Sequence, residues 1–86
     1  MGLDEIKLYL RIDTDDEDEL LSSLQLSAEE YLLNAGIEKD YEKQLYKLAV
    51  KLLISNWYEN RNPVLTGSIS KKLEYSLQHI IAQLIY

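Results

Sequence analysis

Cysteine is absent from this chain, which excludes a disulfide framework and a thiolate metal site and makes an intracellular setting the natural expectation. A single histidine, His79, rules out a histidine-rich metal centre. With only three glycines and one proline, the chain has no phosphate-cradling glycine loop, and neither a GxSxG nor an HExxH motif is present. No window approaches the roughly 18 apolar residues of a membrane span. The start, MGLDEIKLYLRID, lacks a basic region followed by a long apolar run, so a soluble chain without an export signal is expected. Met-Gly is one half of a myristoylation signal, but Ile6 stands where that signal requires Ser or Thr. Positive charge is also scarce: nine Lys and Arg face fifteen Asp and Glu, for a formal charge of −6. Affinity for phosphate rests on clustered Lys and Arg releasing counterions, so general adhesion to nucleic acid is not expected. An acidic protein can still stand beside DNA without gripping it.

What is present favours helix. At 86 residues the chain is expected to form one domain, 1–86, burying about 60 to 65% of the surface its unfolded form exposes. Leu, Glu and Lys are frequent and no stretch sustains period-two alternation. The expected class is all-α: a small bundle of three longer helices plus a short N-terminal helix, with a loop before the last helix.

The first helix is expected from Leu3 to about Leu10, with Leu3, Ile6, Leu10 and Tyr9 forming its stripe. It is too short to hold alone and must pack on something. The second should run from about Asp16 to Ala35, its apolar positions Leu20, Leu21, Leu24, Ala28, Tyr31, Leu32 and Ala35 following helical spacing, with Gly36 as the C-terminal cap. Leu26 and Leu33 fall seven residues apart on the opposite face, where they meet either the first helix or a neighbouring subunit. A third helix from about Tyr41 to Asn60 is apolar over roughly two thirds of its wheel at 100° per residue. Only Gln44, Lys47, Lys51, Ser55 and Glu59 keep a polar stripe, so this helix is the expected hub. In ENRNPVLTGS, Pro63 pushes Asn62 out of helical geometry, while Gly67, Ser68 and Ser70 offer a turn and a new cap. The last helix, from Ile69 or Lys71 to Tyr86, carries a stripe of Ile69, Leu73, Leu77, Ile80, Ile81, Leu84 and Ile85.

One segment stands out for charge. Six carboxylates occupy the seven positions from 13 to 19: Asp13, Asp15, Asp16, Glu17, Asp18 and Glu19. A calcium loop of the EF-hand type counted from Asp13 would need Gly at its sixth position and Glu at its twelfth, where the chain has Asp18 and Leu24. A helix start fits better. Thr14 with Glu17, or Asp16 with Glu19, matches a capping residue followed three positions later by Glu, and further carboxylates suit the positive end of a helix dipole. One cap would suffice, however, and the surplus is left to repel DNA or to select a basic partner surface.

Candidate chemistry is thin. His79 falls at the polar edge of the last helix, about 80° from Ile69 on the wheel, with no motif to supply a nucleophile or an orienting carboxylate. It reads as an ordinary surface histidine. The stretch NWYENRNP crowds Trp57, Tyr58 and Arg61 at one helix end, the residue types enriched at interface hot spots. Equally, Trp57 closes a small core and Arg61 caps helix carbonyls, because aromatics dominate small cores too.

Three blocks, "LDEIKLYLRIDTDDEDELLSSL" at 3 to 24, "AEEYLLNAG" at 28 to 36 and "AVKLLISNWYENRNPV" at 49 to 64, together resemble the small head-tail connector proteins of long-tailed bacteriophages, also described as phage DNA-packaging proteins. The resemblance spans nearly the whole chain. It implies a helical subunit in a ring of about a dozen copies that docks below the portal of the filled head and continues the DNA channel towards the tail. On it, Leu3 to Leu10 and the acidic helix start match the family's N-terminal motif, and Trp57, Tyr58, Asn60 and Arg61 its central motif. Some relatives extend further beyond the last helix, whereas this sequence stops at Tyr86, and LTGSISKK matches no motif of the family.

The leading expectation is therefore a structural connector subunit of the virion, present in the host cytoplasm during assembly. It has no catalysis, cofactor, metal or membrane partner, and its partners are its own copies, the portal and the tail-side completion proteins. DNA passes through without specific binding. Candidate subunit or portal contacts are Leu26, Leu33, Trp57, Tyr58 and Arg61, and the six carboxylates from Asp13 to Glu19 are the candidate helix start or channel lining. An acidic wall lets DNA slide where a basic one would hold it, and surplus apolar residues suit head-to-tail contacts that close a ring. The alternative is a small helical regulatory or nucleic-acid-binding module acting as a dimer, for which Lys39, Lys43, Lys47 and Lys51, at i+4 spacing, offer a basic stripe interrupted by Glu38, Asp40 and Glu42.

Overall fold

The computed structural model describes residues 2–59 and 71–85. Among them lie four helices and no strand: α1 (Leu3–Leu10), α2 (Asp18–Asn34), α3 (Gln44–Glu59) and α4 (Lys71–Ile85). The chain is all-α, with three longer helices and a short N-terminal one, as its composition and periodicity imply.

α3 is the hub. Among the described residues it packs against α1, α2 and α4, and it is the one helix that α4 packs on. Tyr46, Ala49, Val50, Leu53 and Ile54 of α3 are fully buried. They meet Ile6 of α1, Leu21, Ala28 and Leu32 of α2, Ile37, and Leu77 of α4 in one continuous core. Each large aliphatic side chain buried this way contributes about 1.5 to 3 kcal/mol. The expected stripes supply most of these positions, but Ile37 lies between the expected helices, and Tyr9, Leu48 and Ile85 of the expected apolar faces are exposed. Ile69 and the side chain of Leu73 lie outside the described residues, as does the expected 60–70 loop with Pro63, Gly67, Ser68 and Ser70.

Two helix ends explain how the chain turns. After α2, Gly36 adopts φ +93°, its amide donates to Leu33 O at 2.9 Å, and the Ile37 amide donates to Leu32 O at 2.9 Å. This is a Schellman motif, completed by the apolar contact of Ile37 with Leu32 in the core. After α1 the same pattern recurs without glycine. Arg11 takes φ 61° while its amide reaches Leu8 O and that of Ile12 reaches Lys7 O.

Two expected starts are corrected. α2 begins at Asp18 rather than Asp16, and its N-terminal cap, Glu17, makes no side-chain capping bond. Neither Thr14 nor Asp16 stands at the cap position, which Glu17 takes, and the Glu17 carboxylate is held by the Tyr58 hydroxyl instead. α3 begins at Gln44 rather than Tyr41. The Asp40 carboxylate accepts the Glu42 amide at 3.1 Å, an Asx turn that competes with helix, and the Tyr41 hydroxyl is committed to Glu29.

Candidate functional site

The acidic run divides in two. Lys7 reaches across from α1, its Nζ lying 2.6 Å from Asp15 Oδ1 and 2.7 Å from Asp18 Oδ1. Its side chain is only 12% exposed, so the stem packs while the ammonium is held by two carboxylates. Hydrogen bonding to Asp15, then to Asp18, pushes the Lys7 ammonium well above the usual lysine range. The same bond holds the Asp15 carboxyl below its ordinary value. Glu17 accepts a 2.6 Å hydrogen bond from the Tyr58 hydroxyl at the far end of α3. Asp13, Asp16 and Glu19, by contrast, are exposed and make no ion pair among the described residues. Three carboxylates of the run are thus used to fasten α1, α2 and α3 together, and three face outwards.

The polar stripe of α3 is covered in the same manner. Glu5 of α1 lies 3.5 Å from Lys47 Nζ and 3.3 Å from Lys51 Nζ. Partial burial pushes its carboxyl up, but Lys51 and Lys47 together outweigh that and leave it lowered. The Tyr9 ring lies under Lys51 Nζ at 5.8 Å. Further along, the Tyr41 hydroxyl donates to Glu29 and accepts from Gln25 Nε2 at 3.1 Å. Burial first, then the Glu29 contact, pushes the Tyr41 phenol well above its usual range. Lys39 sits 3.9 Å from Glu29.

These pairings undo the expected basic stripe. Lys39 and Lys43 precede α3 altogether, and Lys47 and Lys51 share the Glu5 carboxylate. No continuous cationic face remains here for a phosphate backbone. Among the described residues no group of His, Asp and Glu is arranged to hold a metal ion, and no helix is long and apolar enough to cross a membrane. His79 is exposed, with its ring 4.8 Å from that of Tyr75.

Of the candidate contact residues, Trp57 and Tyr58 are half-buried and pack on the core. Trp57 meets Tyr31 edge-on at 6.4 Å, and Tyr58 holds Glu17. Asn60 and Arg61 lie outside the described residues. Leu26 and Leu33 are not part of the core that α1 joins. They project from α2, 66% and 58% exposed. Sequence reasoning missed the anchoring role of Lys7 and Glu5, for which helical spacing gives no signal. It also missed Leu8, 80% exposed, although its place opposite Ile6 on the wheel was a readable sign.

Buried aliphatics hold the core, and what faces outwards among the described residues includes leucines and carboxylates without an ion pair. The chain belongs to the phage gp6-like head-tail connector proteins, whose family model matches residues 1–84. That is a structural family, and the chain is accordingly a virion component with a role in phage assembly. No curated protein and no solved structure matches it.

Proposed function

We propose that this chain is the repeating subunit of a head-tail connector ring of about a dozen copies, which docks beneath the portal and continues the DNA channel towards the tail. The observation that carries the reading is the family match over residues 1–84. Two features of the fold support it. The outward Leu26 and Leu33 give a monomer apolar surface that self-association covers. The outward Asp13, Asp16 and Glu19, on a subunit of charge −6, give a channel wall that repels the DNA backbone rather than retaining it. The subunit acts by geometry, without catalysis or cofactor. It gathers in the host cytoplasm, meets the portal on one side and tail-side completion proteins on the other, and lets DNA pass unread.

The direct test is deletion of the gene in the phage. Filled heads without tails, or heads that lose their DNA, are the expected product. Filled heads with tails attached would refute the role. Light scattering across a wide concentration range supplies the second test: a uniform closed ring, alone or on purified portal rings, is expected, and a stable dimer that shifts duplex DNA in a salt-sensitive manner would favour the regulatory module.

A further inference from the structure

Leu8 projects from the side of α1 opposite the buried Ile6. It lines an open depression of about 520 Å³ together with Asp4, Arg11, Ile12 and Asp13. Arg11 holds φ 61°, a conformation in which glycine would be the less strained residue. Among the described residues its guanidinium makes no ion pair. Lys7 also lines the depression, but Asp15 and Asp18 already hold it, which leaves Arg11 as its available cation.

On α2, Leu26, Glu30 and Leu33 share one outward face, the two leucines separated by two turns, about 10 Å along the axis. Glu30 is exposed and makes no ion pair among the described residues. One surface therefore offers a hollow with an apolar residue and one uncommitted cation set among the carboxylates Asp4 and Asp13, and the other a ridge with apolar residues and an uncommitted anion.

We propose, building on the ring reading above, that these surfaces are the two halves of one contact between copies of this chain. The ridge of one copy seats in the α1 depression of the next, with a leucine against Leu8 and the Glu30 carboxylate on the Arg11 guanidinium. Two copies of a strongly acidic chain repel over most ways of meeting, so a contact that pairs an uncommitted cation with a carboxylate is singled out. Asp4 and Asp13, which line the same depression, sharpen the choice, because Glu30 is tolerated on Arg11 and repelled elsewhere in it. A guanidinium also suits bidentate carboxylate recognition better than an ammonium does. Because ridge and hollow lie on different helices, the contact is head-to-tail, the type that closes into a ring when its rotation permits. It also gives a reason for keeping a strained arginine at the end of α1.

The test is a charge exchange followed by light scattering on the full chain, alone and on portal rings. Arg11→Glu and Glu30→Arg should each raise the half-assembly concentration about tenfold or more. The double variant should return to within roughly threefold of the wild type. Arg11→Gly supplies a second readout: relief of the left-handed backbone should raise its melting temperature while its assembly weakens, a split that a purely structural arginine does not produce. Single variants that assemble like the wild type, or a double variant that is no better than either, overturn the contact while leaving the ring reading intact. A wild-type chain that associates under neither condition overturns both.

Discussion

The Tyr58 hydroxyl donates a 2.6 Å hydrogen bond to the Glu17 carboxylate across 41 residues of chain. It joins the last turn of α3 to the residue that caps α2, and so ties the acidic run to the aromatic cluster of NWYENRNP. The two most distinctive stretches of the sequence are two sides of one structural contact. Glu17 serves as the acceptor of a partner from α3 rather than as a capping side chain, and Tyr58 is turned inward by the same bond.

Tyr58→Phe keeps the ring packing and removes the donor. A hydrogen bond to a charged acceptor at a half-buried site points to a loss of about 1 to 2 kcal/mol. Both residues make further contacts, so the single variant alone does not isolate the bond. A double-mutant cycle with Glu17→Gln, read by urea unfolding, should give a coupling of at least roughly 0.5 kcal/mol. Strict additivity would mean that the bond is absent in solution.

Acid should weaken the fold through the lysine-held carboxylates. The Asp15 and Glu5 carboxyls are both lowered in the folded state, so their contribution is complete above the ordinary carboxylate value of about 4 and is lost as pH falls through the lower folded-state values. The Lys7 ammonium is raised. Its contribution is complete below the ordinary lysine value of about 10.4 and is lost only as pH climbs beyond it. Lys7→Met removes the cause of the Asp15 shift. Urea midpoints measured from pH 7 down to pH 2 should fall less steeply for the variant than for the wild type, the remaining slope coming from Glu5. Parallel profiles would show that Lys7 does not hold Asp15.

The helical periodicity of the sequence was enough to find all four helices, because burial follows the local 3.6-residue spacing that stripes such as Leu21, Ala28 and Leu32 display. The exposure of Leu26 and Leu33 was legible as an opposite face, although which neighbour they faced was not. What could not be read were the pairings between distant residues. Lys7 with Asp18, Glu5 with Lys51 and Tyr58 with Glu17 depend on how helices dock, and two of these pairings fall at the start of α2, which lies at Asp18 rather than Asp16. The start of α3 shifted for a related reason, since Tyr41 looks like one more apolar helical position until its hydroxyl finds Glu29. Arg11 gave no sign either, because a left-handed helix end ordinarily announces itself as glycine.

Gly36 provides a backbone test of the α2 terminus. A Cβ there would meet nothing within 4 Å, so the penalty of Gly36→Ala comes from φ +93° alone. The expected loss is about 1 kcal/mol, or a fall of roughly 4 to 8 °C in melting temperature for a domain of this size. Gly36→Asn should lose less, because asparagine tolerates the left-handed region better. Equal losses for the two variants would argue that side-chain crowding, not conformation, sets the requirement.

Tyr46 makes the opposite prediction, a substitution that stabilises. It is fully buried in the first turn of α3, yet its hydroxyl has no hydrogen-bond partner among the described residues. Burial, and then the nearby Glu29 charge, push its phenol above the ordinary range. Leaving a buried hydroxyl unpaired costs about 1 to 3 kcal/mol. Tyr46→Phe deletes that oxygen and keeps the edge-on contact with Tyr41, whose ring lies 5.1 Å away. The variant should gain up to about 1 to 2 kcal/mol in urea unfolding, visible as a higher midpoint at unchanged slope. A loss of similar size would mean that the hydroxyl is bonded in solution, and would point to the cleft that Tyr46 lines with Lys39, Lys43 and Leu84 as the source of its partner.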